Sequence, residues 1–298
     1  MQNLTLEKPQ SRFESITKHH KSFNFGSKKI GNGNPVFIIA ECGINHGGSY
    51  KVAEEMIQSA VKCGADAVKF QSYITEKRVP SDNLYFDLFK KCELSEDDQR
   101  DLNAKAHSLG IEFFSTPFDP ESVAILEEIG VPGYKVASFD IVNKALIRSV
   151  CHTGKPVICS TGMADESEIN SVMEIFDNAE IPFALLHCIS AYPTELNDAN
   201  LNVINTLKSI CTGPVGYSDH TLGIKAPVLA VAAGAKVIEK HFTLDKNADG
   251  PDHQLSADPD DMKKMIEQIR EVETIFGSSV LKVTPAETTT LIFRRPSK

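Results

Sequence analysis

Eight short runs of apolar and β-branched residues recur along the chain, and a longer amphipathic segment follows each of them. The runs lie at 36–43, 66–73, 111–118, 133–138, 156–162, 183–190, 214–220 and 236–244. Runs of this length predict buried strands, and the segments between them have the apolar spacing of helices. Strands that alternate with helices pair in parallel, because each helix carries the chain back to the same edge of the sheet. The pattern therefore predicts an α/β protein.

Eight strand–helix units in about 240 residues match the size of a (β/α)₈ TIM barrel, and we expect one catalytic barrel over residues 36–280. A doubly wound open sheet is the alternative, but its usual glycine-rich phosphate loop is not the form of ECGINHGG at 41–48. Residues 23–35 predict an N-terminal hairpin with an Asn/Gly turn that plugs the amino end of the barrel. Residues 1–22 are expected to be flexible, and residues 281–298 to form a C-terminal tail.

Charge and cysteine usage limit the partners and the compartment. The net charge of −9 argues against nucleic acid or an anionic membrane surface as the main partner. No apolar run approaches the roughly 20 residues of a membrane helix, and the first residues lack the apolar core of a signal peptide. The 7 cysteines form no Cys-x-x-Cys pair, which is typical of reduced thiols in a reducing compartment. We therefore expect a cytoplasmic protein.

Polar residues stand near the carboxyl ends of almost all the predicted strands, although barrel strands are buried on both faces. They are Glu41, Lys69, Gln71, Thr116, Lys135, Ser138, Ser160, Ser190, Tyr192, Ser218, His220, Glu239 and His241. Lys69 and Gln71 are two residues apart and share a face of their strand, as do Glu239 and His241. Because the carboxyl ends of all strands meet at one end of a barrel, we predict a polar pocket at the catalytic mouth.

Two histidines suggest a metal site in this pocket. His220 and His241 end adjacent strands, where two imidazoles can bind one divalent ion. Their spacing is not a local metal-binding motif, so the alternative is that each is a satisfied core histidine.

Two lysines suggest that the pocket binds an anion. Lys69 and Lys135 supply cations, and the neighbouring serines supply hydroxyl donors, for a phosphate or a carboxylate. These serines are Ser138, Ser160 and Ser218. The alternatives are salt bridges from the lysines to Glu41 or Glu239, or a lysine that forms a Schiff base.

The chain resembles the sialic acid synthase family, which includes N-acetylneuraminate, legionaminic and pseudaminic acid synthases and spore-coat polysaccharide synthases. The motifs that carry the resemblance are IIAECGINHGGSYKVAEEMI, GADAVKFQSY, FFSTPFD, YKVASFD, VICSTGM, ALLHCISAYPT, GYSDHTLG, VIEKHFTLDK and DGPDHQLSADP, in order from residue 35 to about 295. The resemblance implies condensation of phosphoenolpyruvate with the open-chain aldehyde of an N-acylated amino sugar, typically N-acetylmannosamine. The implied products are a nine-carbon 2-keto sugar acid and phosphate, formed by cleavage of the C–O bond.

The resemblance also implies roles for single residues. His220 and His241 would bind a divalent metal, Mn²⁺ or Mg²⁺, and Glu41 and Glu239 match family carboxylates near C2 and C3 of phosphoenolpyruvate. The implied substrate-binding residues are Lys69, Lys135, Ser138, Ser160 and Ser218 for phosphoenolpyruvate, Gln71 and Thr116 in the same region, and Ser190, Tyr192 and Asp252 towards the sugar. The family further implies a homodimer.

Two features depart from the family pattern. Ser190 stands where well-known members have Asn, so a sugar contact is expected to differ. Members also usually continue into an antifreeze-like domain whose arginine contacts the N-acyl group in the partner subunit, whereas this sequence reaches LIFRRPSK where that linker would begin. The alternative functions are a Schiff-base barrel aldolase that uses pyruvate and an inactive relative that binds sugar or phosphate.

Overall fold

A closed barrel of eight parallel strands forms the centre of the computed structural model, which describes residues 21–296. An N-terminal hairpin of β1 (Ser22–Phe25) and β2 (Lys28–Gly31) precedes the barrel strands β3 (Phe37–Gly43), β4 (Ala67–Ser72), β5 (Glu112–Pro117), β6 (Tyr134–Val136), β7 (Val157–Ser160), β8 (Phe183–Cys188), β9 (Val215–Asp219) and β10 (Val237–His241). Each barrel strand pairs with the next, and β10 pairs with β3 to close the ring. The predicted TIM barrel is confirmed, and every strand lies within its predicted run. The segment 1–22 predicted to be flexible lies outside the described residues, apart from its last two.

Helices connect the barrel strands on the outside. They are α1 (Tyr50–Cys63), α2 (Thr75–Arg78), α3 (Phe86–Cys92), α4 (Glu96–Ser108), α5 (Pro120–Ile129), α6 (Lys144–Cys151), α7 (Glu166–Asn178), α8 (Val203–Ile210), α9 (Lys225–Ala232) and α10 (Pro259–Phe276), with 3₁₀ helices at Ser138–Asp140 and Pro285–Phe293. α1 begins where the Ser49 hydroxyl accepts a hydrogen bond from Val52 N, and it ends at Gly64 with φ of 87°. No helix between residues 21 and 296 is long and apolar enough to cross a membrane.

The hairpin closes the amino end of the barrel. Phe25 of β1 packs edge-on against Phe37 and Phe114 inside the barrel, with ring centroids 5.6 and 5.0 Å away. Phe23 and Ile30 join the same apolar cluster as the inward-facing residues of the strands. This packing seals the end of the barrel opposite the strands' carboxyl termini.

The turn of the hairpin is not at the Asn/Gly sequence that predicted it. Phe25 pairs with Lys28, so the turn lies at Gly26 and Ser27. The Glu112 carboxylate accepts hydrogen bonds from Ser27 N at 2.7 Å and Ser27 Oγ at 2.6 Å. Gly26 has φ of 58°, and a Cβ there would lie 2.0 Å from Glu112 Oε2, so the turn also needs glycine. A contact from a distant strand therefore selects the turn.

The apolar core has an inner and an outer layer. One cluster fills the barrel near the hairpin, and a larger one lies between the strands and the helices. All 7 cysteines are free thiols, and six of them are buried. Buried free thiols of this kind pack as small apolar groups.

Candidate active site

A cavity of about 350 Å³ opens at the carboxyl ends of the barrel strands. It is lined by thirteen of the fourteen predicted site residues, namely Glu41, Lys69, Gln71, Thr116, Lys135, Ser138, Ser160, Tyr192, Ser218, His220, Glu239, His241 and Asp252. They come from the barrel strands or from the loops that follow the strands. Closure of the barrel alone therefore brings these side chains together.

Parallel pairing sets several of these side chains level with one another. Glu41 of β3 lies opposite Lys69 of β4 on one side and opposite His241 of β10 on the other. Ser218 of β9 lies opposite Glu239 of β10. Because partners in register point to the same face of a sheet, these side chains all enter the barrel interior.

Two lysines and two glutamates form a buried ion cluster in the cavity, and all four are at most 5% exposed. Lys69 Nζ lies 2.5 Å from Glu41 Oε2 and 3.8 Å from Glu239 Oε2. Lys135 Nζ lies 3.6 Å from Glu239 Oε1, which also accepts a hydrogen bond from Ser218 Oγ at 2.8 Å. The salt bridges that the sequence left as an alternative thus exist. They hold the two ammonium groups in place at the wall of the cavity.

The cluster drives the pKa values of its two carboxyl groups apart. Burial raises the pKa of Glu41 to about 7, although Lys69 opposes the shift. Burial also opposes ionisation of Glu239, but Lys135 and Lys69 outweigh it and lower the pKa of that carboxyl. Burial favours the neutral amine of Lys69, yet Glu239 and Glu41 prevail and raise its pKa. Near neutral pH, one carboxyl group can therefore carry a proton while the other stays ionised.

Hydroxyl groups extend the two ammonium groups into a set of donors. Lys135 Nζ donates to Ser160 Oγ at 2.6 Å, and Lys69 Nζ donates to Thr116 Oγ1 at 3.1 Å. All four side chains are buried. Cations and hydroxyls at fixed positions are the groups that bind phosphate and carboxylate oxygens in proteins.

Ser190 is the one predicted residue that does not line the cavity. Its hydroxyl is buried and has no hydrogen-bond partner within the described chain. Gly162 lies against it, since a Cβ on this glycine would come within 2.5 Å of Ser190 Oγ and 2.7 Å of Ser138 Oγ. Gly162 N also donates to Ser138 Oγ at 3.0 Å. Glycine at this position lets the loop after β7 pass close to both serines.

The two predicted metal ligands lie side by side, with ring centroids 5.3 Å apart. His220 Nδ1 lies 2.8 Å from the carbonyl oxygen of Ile189, so we assign the proton to Nδ1 and a lone pair to Nε2. His241 Nδ1 is buried, has no hydrogen-bond partner among residues 21–296, and lies 3.8 Å from Asp252 Oδ2. Burial and the neighbouring cations lower the pKa of His241, which keeps its ring neutral.

This donor set fits a divalent ion held by two imidazoles. A bound ion gives the orphaned nitrogen of His241 a partner, and the carbonyl that orients His220 is a usual second partner of a metal-binding imidazole. No group of three or more His, Cys, Asp or Glu side chains in the described residues is arranged to hold a metal. The described residues would therefore supply two nitrogen ligands, from His220 and His241, to such an ion.

A second buried ion pair fixes the strand ends that carry the histidines. Lys240 Nζ lies 2.7 Å from Asp219 Oδ2 and 2.5 Å from the carbonyl oxygen of Thr221. Asp219 Oδ1 accepts a hydrogen bond from Thr221 N at 3.0 Å. His220 lies between Asp219 and Thr221 in sequence, and His241 follows Lys240. These contacts tie the backbone at one histidine to the backbone at the other.

We expect Lys240→Met to lower the free energy of unfolding by about 3–5 kcal/mol, because it leaves Asp219 buried without its cation. Urea unfolding followed by circular dichroism measures the loss. Lys51→Met is the matched control, since Lys51 forms an exposed pair with Glu55 at 3.8 Å and should change stability little. Equal effects of the two substitutions would show that the buried pair does not hold the strand ends.

One wall of the cavity was missed by sequence reasoning. The inserted helices α2 and α3, with the residues between them, place Arg78, Tyr85, Leu88 and Phe89 along it, beside Phe118 after β5. None of these residues ends a strand, so the pattern of strand-end polar residues does not reveal them. The length of the connection between β4 and α4 could have indicated this wall. It is the longest connection between a barrel strand and the helix that follows, and long loops are often functional.

Comparisons with known proteins agree with this fold. The model of the NeuB family matches residues 56–281. The chain is 42% identical over 281 residues to N,N'-diacetyllegionaminic acid synthase of Legionella pneumophila, covering 88% of this chain and 79% of that one. It is 50% identical over 278 residues to an uncharacterised protein of Methanocaldococcus jannaschii, covering 93% and 82%. The solved structure of N-acetylneuraminic acid (sialic acid) synthetase from Leptospira borgpetersenii serovar Hardjo-bovis, in complex with citrate, has a TM-score of 0.89 and 41% identity, covering 92% and 96%.

Proposed function

The chain belongs to the NeuB family, and from that premise we propose that it is a sugar-acid synthase. It condenses phosphoenolpyruvate with the open-chain aldehyde of an N-acylated amino sugar, N-acetylmannosamine or a related hexosamine. The products are a nine-carbon 2-keto sugar acid and phosphate. The observation that carries the proposal is the set of two buried lysines beside two imidazoles in one cavity of about 350 Å³.

The lysines and hydroxyls suit phosphoenolpyruvate, which carries a phosphate and a carboxylate. Lys69 and Lys135 are held by Glu41 and Glu239, so neither ammonium group has to be ordered when the substrate binds. The Thr116 hydroxyl and the serine hydroxyls of the cavity add donors for the remaining oxygens. This local cationic site accommodates an anion despite the negative charge of the whole chain.

The reaction forms one carbon–carbon bond and breaks one C–O bond. C3 of phosphoenolpyruvate bonds to the aldehyde carbon, and the aldehyde oxygen gains a proton. A water oxygen adds to C2, and one of the two water protons supplies the proton on the former aldehyde oxygen. The C2–O bond to phosphate then breaks, and the remaining proton of the new C2 hydroxyl leaves with the phosphate as the ketone forms. Glu41, with its raised pKa, can carry a proton near neutral pH, and the ionised Glu239 can stabilise positive charge at C2.

A divalent ion, Mn²⁺ or Mg²⁺, on His220 and His241 would polarise the aldehyde oxygen. The chain's own contribution is to hold the two imidazoles in place, through Ile189 for His220 and through the Lys240–Asp219 pair for both strand ends. Tyr192 packs against the His220 ring with centroids 4.1 Å apart.

The Schiff-base aldolase is less well supported. A lysine nucleophile has to be neutral, whereas the two glutamates raise the pKa of Lys69 and keep it protonated. The inactive relative is opposed by the complete and mutually paired set of charged groups in the cavity.

The proposal is tested by incubating the full chain with Mn²⁺, phosphoenolpyruvate and a panel of hexosamines. We expect sugar-dependent release of phosphate, strongest with N-acylated sugars. Phosphoenolpyruvate labelled with ¹⁸O in the C2–O bridge should pass the label to phosphate, measured by the ³¹P NMR shift. Release without sugar, or unlabelled phosphate, contradicts the proposal. Borohydride trapping of pyruvate on Lys69 or Lys135 would instead support the aldolase, and binding without release the inactive relative.

A further inference from the structure

Arg78 is a cation of the cavity that neither the ion cluster nor the proposed reaction uses. It ends α2, lines the cavity and forms no salt bridge within residues 21–296. Its guanidinium carbon lies 4.4, 4.0 and 3.8 Å from the ring centroids of Tyr73, Phe89 and Phe118. Burial lowers the pKa of Arg78 to about 10, against the attraction of Tyr73 and nearby carboxylates, so the group stays charged at neutral pH. A buried charge among three aromatic rings is costly unless a polar group pairs with it.

The position of Arg78 is set by contacts at the start of α2 and by a hydrogen bond of its own side chain. Ile74 N donates to Asp119 Oδ2 at 3.1 Å, and Thr75 N and Oγ1 both donate to Glu93 Oε2. Arg78 Nη1 donates to Gln71 Oε1 at 2.9 Å. Gln71 lies two residues after Lys69 on β4, so this hydrogen bond links the guanidinium to the anion-binding part of the cavity. The arginine is thus held in place.

Most of its hydrogen-bonding capacity is unused. A guanidinium has five N–H donors, and the bond to Gln71 is the only hydrogen bond that the guanidinium of Arg78 makes to residues of the described chain. A planar fork of donors with free positions recognises a carbonyl, carboxylate or phosphate oxygen. The structure therefore offers an acceptor site at this wall of the cavity.

The surroundings favour a neutral acceptor. Asp140 and Asp252 both act electrostatically on Arg78, so two carboxyl groups already contribute negative charge near this cation. A phosphate dianion would add negative charge there without a second cation. The rest of this wall is aliphatic and aromatic, formed by Ile44, Tyr85, Leu88, Phe89 and Phe118. An amide carbonyl attached to a methyl group matches a guanidinium set among aromatic and aliphatic side chains.

We infer that Arg78 and the apolar wall around it form the subsite for the N-acyl group of the sugar. The carbonyl oxygen of the acyl group accepts hydrogen bonds from the guanidinium, and its methyl group packs against the rings of Phe89 and Phe118. The inference rests on the proposed function and names the part of the substrate that this chain recognises with its own barrel. It makes Arg78 a residue that determines specificity for acylated over free amino sugars.

Steady-state phosphate release by Arg78→Met tests the subsite. Methionine retains the packing on the rings and removes the donors, so the KM for N-acetylmannosamine should rise about tenfold to a hundredfold, as expected for a lost hydrogen bond to a charged group. The KM for phosphoenolpyruvate should change less than about twofold, because the guanidinium of Arg78 contacts the acyl group of the sugar and not phosphoenolpyruvate. Arg78→Lys keeps the charge but lacks the planar fork of donors, so its KM for N-acetylmannosamine should lie between those of the wild type and Arg78→Met. Arg148→Met, at an exposed arginine of α6, is the matched control and should behave as wild type.

Binding measured without turnover separates this inference from the proposed function. In saturation-transfer NMR, the acetyl methyl of N-acetylmannosamine should receive strong saturation from the wild type and little from Arg78→Met. A KM for N-acetylmannosamine that is unchanged in Arg78→Met overturns the inference. A rise in KM that is seen only with N-acetylmannosamine 6-phosphate also overturns it. If the wild type releases no phosphate with any sugar, the proposed function fails. The NMR result then decides the subsite alone, and equal saturation in both proteins, or none in the wild type, overturns it.

Discussion

Replacement of His241 by alanine is expected to lower metal-dependent phosphate release by about a thousandfold or more, since a metal ion contributes several kcal/mol to such a transition state. With one imidazole left, the chain offers a single nitrogen ligand to the ion. His220→Ala should have the same effect, and the double variant should be no worse than either, because the two rings act as one unit. Mn²⁺ binding, followed by electron paramagnetic resonance of the free ion, should weaken in parallel.

A surface histidine provides the control for this prediction. His107 lies exposed near the end of α4, and His107→Ala should leave both Mn²⁺ binding and turnover unchanged. Circular dichroism should show a native spectrum for every variant, because His241 is not part of the apolar core. Full turnover of His241→Ala after treatment with EDTA would exclude a metal role for this residue.

Replacement of Lys69 by methionine should damage both binding and stability. Lys69 is 4% exposed and contacts two carboxylates, so its loss leaves Glu41 and Glu239 facing each other without one of their cations. We expect the KM for phosphoenolpyruvate to rise about a hundredfold, the upper range for a lost charged hydrogen bond. We also expect a stability loss of about 3–5 kcal/mol near neutral pH, as for other broken buried pairs.

The stability loss of Lys69→Met should depend on pH. Burial raises the pKa of Glu41 in the folded protein to about 7, above its usual 4.5, so protonation of Glu41 stabilises the fold below pH 4.5 and this contribution is lost as the pH rises through 7. Lys69 opposes the shift, so removing it raises the folded pKa of Glu41 further. The difference in unfolding free energy between wild type and variant should therefore be larger at pH 8 than at pH 5.

Urea unfolding of the metal-free protein at the two pH values measures this difference. Lys77→Met is the control, because Lys77 pairs with Glu121 at 2.5 Å on the surface and should show little effect at either pH. A loss for Lys69→Met that is the same at pH 5 and pH 8 would show that Glu41 does not titrate in the folded protein near neutral pH.

The barrel was predictable because its signal is local and repeated. A buried parallel strand needs a short apolar run whatever its partner, and a helix needs its cap, as Ser49 provides for α1. Each of the eight strands is found within its predicted run. The turn of the hairpin was misplaced because Glu112, more than eighty residues away, binds Ser27 and selects the turn.

The composition of the cavity was also largely predictable, although its pairings were not. Polar residues at strand ends point to one mouth because barrel topology brings all carboxyl ends together. Which lysine contacts which glutamate depends on register and tilt, and the structure shows Lys69 between two carboxylates and Lys135 beside one. The place of Arg78 in the cavity could not be predicted from strand-end residues, because it depends on aromatic rings from α3 and from the loop after β5.

The amino-acid sequence by itself determined that the chain alternates strand and helix eight times and that polar or charged side chains stand near the strand ends. These properties follow from hydrophobic periodicity and residue type, which are local. The tertiary structure alone decided the distances between these side chains. It sets the ion cluster that separates two carboxyl pKa values, the Lys240–Asp219 pair that fixes the strand ends carrying the two histidines, and the place of Arg78 among three aromatic rings. Such effects depend on burial and on charges a few ångströms apart, and only the closed barrel brings residues from distant parts of the chain that near.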